Sequence, residues 1–198
     1  MSSVKKRGWI VVSLVLYILS FSVVWAQPPL AAGTFLVATD KIDDGIFKES
    51  VVLILRHNAE MTIGVIVNKP SEMQLSRVLP NHALPKSDAQ LYFGGPVNPM
   101  TVSAMSMTKR PHPSMTPLLD NIYWVPGLRA LAHIVEQVKG EERVRAYMGV
   151  STWKGGQLQK ELTADSWVVA PVESRLIFSE KPTQIWSKLY ARWSGRWL

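Results

Sequence analysis

The chain of 198 residues contains no cysteine. That absence removes disulfides, thiol nucleophiles, redox switches and cysteine-zinc sites together. The sequence also lacks a His-Glu-x-x-His helix, a Gly-x-Ser-x-Gly elbow and a Gly-Lys-Ser/Thr phosphate loop, so zinc peptidases, elbow-type hydrolases and P-loop nucleotidases have no motif here. Asp40, Asp43 and Asp44 do not match the spacing of a calcium loop, and His57, His82, His112 and His133 are scattered. No metal site and no cofactor is expected. There is no internal repeat and no low-complexity tract.

What is present begins with one long apolar run. Lys5, Lys6 and Arg7 precede Gly8 to Val24, 17 residues without a charge, and Val24-Trp25-Ala26 ends the run on a small residue, as an export signal requires. Seventeen residues is the short limit for spanning a hydrocarbon core of about 30 Å. The segment 1–26 therefore reads as a signal peptide or an N-terminal membrane anchor, followed by a proline-bearing linker at 27–32. Removing 1–26 takes away three cations and no acid, which leaves 172 residues near +4 from a total of +7. A charge of that size suits solubility as well as it suits an anionic partner. The expected location is the bacterial periplasm or its membrane, with a cytoplasmic location as the alternative.

From Gly33 onward the pattern is of short strands. Thr34–Ala38, Ser50–His57 and Met61–Val67 are rich in β-branched residues, and the latter two form a hairpin through Asn58-Ala59-Glu60. Nearly every position in them is apolar, which predicts coverage of both faces. Pro70 is expected to close the third strand, with a short helix over 75–79. Strands follow at Gln90–Phe93 and Val102–Thr108, then a proline-bearing loop at 109–121, a strand at Ile122–Val125, and a helix opened by Pro126-Gly127 and ended by Gly140. Val144–Ser151 reads as a strand, Leu158–Ala164 as a helix, Trp167–Ala170 as a strand and Thr183–Trp193 as a last helix. The class is α+β with a mainly antiparallel sheet.

Three blocks stand in order: Gly64-Val65-Ile66-Val67-Asn68-Lys69-Pro70, Phe93-Gly94-Gly95-Pro96-Val97, and Gly149-Val150-Ser151-Thr152-Trp153-Lys154-Gly155-Gly156-Gln157-Leu158. Together they resemble the YqgE/AlgH family, over about residues 33–180, with Phe35–Ala38 and Phe47–Val52 like its opening and Glu161 and Trp167 like the continuation of its third block. The resemblance implies one domain, 33–182, whose bifurcated sheet folds into a pseudo-barrel with flanking helices. It also implies a label of transcriptional regulator without an established reaction. Thr39, Gly45 and Gln159 depart from the family pattern, and the export segment is foreign to typical members.

Asn68, Lys69, Gly94, Gly95, Ser151, Lys154 and Gly155 are the candidate wall of a ligand pocket, offering an amide, cations, a hydroxyl and backbone N–H groups. The same residue types are ordinary turn vocabulary, which is the simpler reading. Ser50 or Ser151 would serve a hydrolase if a histidine lay beside it. The C-terminal segment 183–198 places Trp186, Tyr190 and Trp193 on one helical arc beside Lys188 and Arg192, as a membrane-surface helix does; packing on the sheet is the other use of such a face. The expected partner is a protein or small ligand, with the membrane surface as a second contact and nucleic acid not expected if the domain is exported. A non-enzymatic binding domain is the leading expectation, ahead of a cytoplasmic regulator and a serine-dependent hydrolase.

Overall fold

Strict alternation along the first strands places their apolar side chains on two opposite faces, and the fold buries both. The computed structural model describes residues 28–81, 90–179 and 181–194. The segment 1–26, expected from sequence to be a signal peptide or anchor, and His82, Gly195, Arg196 and Trp197 lie outside the described residues. Ten strands form one curled sheet: β1 (Thr34–Ala38), β2 (Val51–His57), β3 (Met61–Ile66), β4 (Pro70–Gln74), β5 (Gln90–Phe93), β6 (Val97–Met107), β7 (Thr116–Leu119), β8 (Ile122–Val125), β9 (Arg143–Lys154) and β10 (Trp167–Pro171). Among the described residues four α-helices flank it: α1 (Leu128–Val135), α2 (Gln157–Thr163), α3 (Ser174–Ile177) and α4 (Ile185–Ser194).

The main path runs β10-β1-β2-β3-β9-β6-β8-β7 with every neighbour antiparallel. The 12-residue β9 is the spine. On one side it carries β6; on the other it carries first β5, in parallel over Ala146 to Met148, and then β3, antiparallel over Ser151 to Lys154. One strand thus feeds two sheets, and the sheet bifurcates between Met148 and Ser151. The curl brings β7 round to the chain ahead of β1, where a Cβ on Gly33 would lie 3.0 Å from the Leu119 side chain. This is the α+β pseudo-barrel, a mostly antiparallel half-barrel with few helices.

Phe35, Val37, Val51, Leu53, Val65 and Tyr147 point inward, where Leu176, Ile177, Ile185 and Leu189 of α3 and α4 join them. Leu36, Ala38, Val52, Ile54 and Ile66 point outward under α2, with Trp153 and Trp167 as filler. A third cluster packs Leu131, Ile134 and Val135 of α1 on Val102, Ala104, Val144 and Ala146. Each fully buried Leu, Ile or Phe in these layers contributes about 1.5–3 kcal/mol.

The structure departs from the sequence expectation in several places. Pro70 opens an exposed edge strand, β4, because an edge needs no donor on its outer side. The segment 75–79 makes only a 3-10 turn at Leu75–Arg77. Residues 116–119 of the expected loop pair with β8, Pro117 sitting at the end of the sheet where its missing N–H is harmless. β6 and β9 both run longer than their apolar cores, since pairing continues past the buried stretch. α1 ends at Val135, and α3 has no periodic signal at four residues.

Gly149, at φ +69°, sits where an added Cβ would fall 2.2 Å from the Gly95 carbonyl oxygen. Gly149→Ala is expected to cost more than about 3 kcal/mol in urea unfolding, because strain at positive φ adds to a backbone clash. Gly156→Ala, equally left-handed but with open space around it, is expected to cost about 1 kcal/mol.

Candidate functional site

The three sequence blocks converge on the bifurcation. The Gly94 N–H donates to Met148 O at 2.7 Å, the Gly94 carbonyl accepts from Ile66 N at 2.9 Å, and the Ser151 hydroxyl donates to the same carbonyl at 3.2 Å. A Cβ on Gly94 would lie 2.4 Å from Gly149 O, and one on Gly95 would lie 2.4 Å from the Ser151 hydroxyl. Gly94, Gly95 and Ser151 therefore come together, but their polar groups face one another across a closed backbone crossing.

Asn68 is buried, and both ends of its amide are committed. Its Oδ1 accepts from Val51 N at 2.7 Å and its Nδ2 donates to Glu49 O at 2.8 Å, so the side chain extends the pairing one step past the last backbone bond, Val67 N to Val51 O. It holds the start of β2 just after Glu49, which has φ +56°. Lys69 donates to Ile46 O, and burial holds its amine below the ordinary lysine range, opposed by Asp44 and Glu49. Lys154 and Gly155 lie at the other end of β3, beside the hairpin turn: Gly155 N donates to Glu60 O at 2.7 Å, while the Lys154 side chain is exposed. Of the seven nominated residues, five gather at the bifurcation and two do not.

Two buried polar arrangements were not legible in the sequence. Glu161 Oε2 accepts from both indoles, Trp153 Nε1 at 2.9 Å and Trp167 Nε1 at 2.8 Å, and Oε1 accepts from Gln157 Nε2 at 3.0 Å. Phe47 packs against both rings. The signal was one acid on a short helix between two tryptophans. Arg145 is fully buried: Nη1 donates to Ile177 O at 2.7 Å, Nη2 to Ser179 O at 3.0 Å, and the guanidinium lies 4.4 Å over the Tyr92 ring. It ties the end of α3 to the barrel interior. A lone cation inside the apolar run Val144 to Val150 was its trace in the sequence. Beside it, burial pushes the Tyr147 hydroxyl far above the ordinary tyrosine value.

Open space lies elsewhere, on the two sides of the loop 108–115 and α1. A cleft of about 330 Å³ is lined by Ser106, Thr108, Arg110, Lys139 and Glu142 among others. Its polar groups are already fixed: Glu142 Oε1 accepts from Thr108 Oγ1 at 2.7 Å and from Arg110 Nη2 at 3.1 Å, and Oε2 accepts from Lys139 N at 2.9 Å. The Thr108 bond is the chief reason the Glu142 carboxyl titrates below 4.5, its ordinary value. A neighbouring cleft of about 510 Å³ is lined by His112, Ser114, Arg129 and His133, and Glu136 borders both. The two imidazoles meet edge to face with centroids 4.7 Å apart. The His112 Nδ1 accepts from Ser114 N at 3.2 Å, which leaves the Ser114 hydroxyl, 2.8 Å away, as a second donor and puts the ring proton on Nε2. None of the seven nominated residues lines either cleft. Among the described residues no group of three His, Asp or Glu is placed to hold a metal ion.

α4 lies along β1 with Ile185 and Leu189 buried. Trp186 Nε1 donates to Ala38 O at 2.8 Å, Tyr190 stacks on Trp186 at 4.9 Å, and Trp193 follows with its ring exposed. Lys188 is exposed, and Arg192 bonds Glu173. One helical face thus packs at its start and opens to solvent at its end.

A half-barrel split at paired glycines, with an Asn-Lys-Pro clamp beside it, defines the class of protein. The AlgH-like family profile, DUF179, matches residues 35–197, and the chain belongs to that family. It is 32% identical over 161 residues to a UPF0301 protein of Methylococcus capsulatus, covering 79% of this chain and 88% of that one. A UPF0301 protein of Chlorobium luteolum is 28% identical over 160 residues, with 80% and 84% covered. Among solved structures, a protein of Corynebacterium diphtheriae superposes with a TM-score of 0.71 at 25% identity, over 85% of this chain and 90% of that one. The solution structure of AlgH from Pseudomonas aeruginosa gives 0.69 at 24% identity, over 85% and 91%.

Asn68→Ala is expected to lower stability by about 1–3 kcal/mol, since it strands the buried Val51 N–H; amide exchange at Val51 should rise with it. Glu142 contributes stability that is fully present above pH 4.5 and is lost as the pH falls from there through its lowered folded value. Thr108→Val should therefore flatten the stability loss below pH 4.5, measured as urea midpoints against pH.

Proposed function

We propose that this chain is an exported or membrane-tethered, non-enzymatic binding domain. It takes a small polar ligand, or a polar group of a partner protein, in the cleft between β6, the loop 108–115 and the end of α1. The observation that carries the reading is the preorganised wall of that cleft. Thr108, Arg110 and the Lys139 backbone are held on one carboxylate, so a guest meets groups already ordered. Arg110, anchored by one nitrogen and 66% exposed, keeps further N–H donors for a guest, whereas the polar groups of the sequence blocks close on one another at the bifurcation.

A nucleophile-base arrangement finds no support at the serines singled out from sequence. The Ser151 hydroxyl is taken by the Gly94 carbonyl, and Ser50 lies at the opposite end of β2 from His57, roughly 20 Å away at strand spacing. Export is supported by the basic start at Lys5-Lys6-Arg7 and the uncharged run after it. Among the described residues no helix is long and apolar enough to cross a membrane.

Two measurements test this. The N-terminal residue of the protein recovered from its native cell is expected near Gln27 in the periplasmic fraction, or Met1 in the membrane fraction; Met1 in soluble cytoplasm contradicts export. A small polar fragment set screened by NMR on the full chain is expected to shift the amides of residues 106–110 and 139–142, and Arg110→Ala should weaken those hits about tenfold. Hits gathered at Asn68, Gly94 and Ser151 instead would overturn the cleft.

A further inference from the structure

The two ends of the sheet differ in charge, and the chain enters the domain at the positive one. Strand registers fix which residues share that end. Gly33 N donates to Ile54 O, so Arg56 lies beyond the start of β1; Met61 pairs with Lys154, so Lys154 sits beside the same hairpin. Thr34 pairs with Pro171, which puts Glu173 and Arg175 at that end too. α4 runs antiparallel to β1, from Trp186 on the Ala38 carbonyl to Arg192 on Glu173. Its exposed Trp193 therefore emerges next to the point where the N-terminal segment joins the fold.

This end carries Arg56, Lys154, Arg175 and Arg192 against Glu60, Glu173 and Asp120, the last beside Gly33 at the end of β7, and Glu173 serves two guanidiniums at once. The opposite end, just after Ala38 and at the start of β2, carries Asp40, Asp43, Asp44, Glu49 and Asp165 against Lys41, Lys48 and Lys69. Arg175 and Trp193 are 76% and 45% exposed. An exposed indole on an end with an excess of cations, at the side where the described chain begins, is the composition of a surface that meets anionic headgroups.

We infer that the Gly33 end of the domain, with Trp193, Arg175, Arg192, Arg56 and Lys154, docks on an anionic lipid bilayer. The inference rests on the envelope reading above and adds an orientation: the acidic end and the loop 40–49 face away from the membrane. Because the chain has no cysteine, single cysteines report position without background. The full chain is inserted into vesicles of phosphatidylcholine, alone or mixed with phosphatidylglycerol, with an environment-sensitive nitrobenzoxadiazole at position 193, 175 or 40. With phosphatidylglycerol, the probes replacing Trp193 and Arg175 should brighten and shift to the blue while the probe replacing Asp40 stays aqueous. Lys154→Gln should reduce the docked fraction about fivefold at position 193. A chain that inserts but whose probes at 175 and 193 match the one at 40 overturns the docking surface and leaves the tether standing. A chain that fails to insert in either vesicle overturns the tether and the orientation together.

Discussion

Backbone packed on backbone at Gly94, Gly95 and Gly149 is the contact on which this fold depends. A strand has two edges, and β9 must serve three neighbours, so one edge is divided between β5 and β3. The division works only if the chain leaving β5 crosses β9 with no side chain between them. The crossing is also saturated: Gly94 gives its N–H to Met148 and takes Ile66 N and the Ser151 hydroxyl on its carbonyl. Glycine is thus needed for proximity, and the neighbouring polar groups are needed because buried peptide groups without partners are costly.

The other buried polar groups extend the same logic outward from the crossing. Asn68 substitutes for ladder pairing where β3 has ended and β2 has only begun. Glu161 satisfies two indoles that would otherwise leave orphan donors under α2. Arg145 ties the end of α3 to the barrel interior through two carbonyls and a tyrosine face. Each joins elements distant in sequence, so together they fix one arrangement of helices on a sheet whose apolar faces alone would tolerate several.

How much of this was legible depended on whether a signal was local. β1, β5 and β8 stand where their β-branched and aromatic runs predict, and the two-faced burial of β1 and β2 follows from unbroken apolar stretches. β3 does end before Asn68-Lys69-Pro70, but that Pro70 also opens β4 was not legible, because which strands are edges is set by topology. β7 was hidden for the same reason. The sequence blocks were visible as a constellation, and five of the seven nominated residues do meet, but residue type alone does not tell a polar group facing a ligand from one facing another strand. The cleft beside α1 had no motif at all: Thr108, Lys139 and Glu142 converge only through the register of β6 on β9.

On the proposed reading, fold and function occupy different parts of the molecule. Gly94, Gly95 and Gly149 build the bifurcation, and the cleft beside α1 offers the ordered polar wall. Native-state amide hydrogen exchange on the full chain tests the central claim most directly. The amides of Gly94, Ile66 and Val51 should exchange only with global unfolding, at the slowest rates in the protein. Exchange there as fast as in the loop 108–115 would show that the crossing opens on its own, and would contradict its role as the structural foundation of the fold.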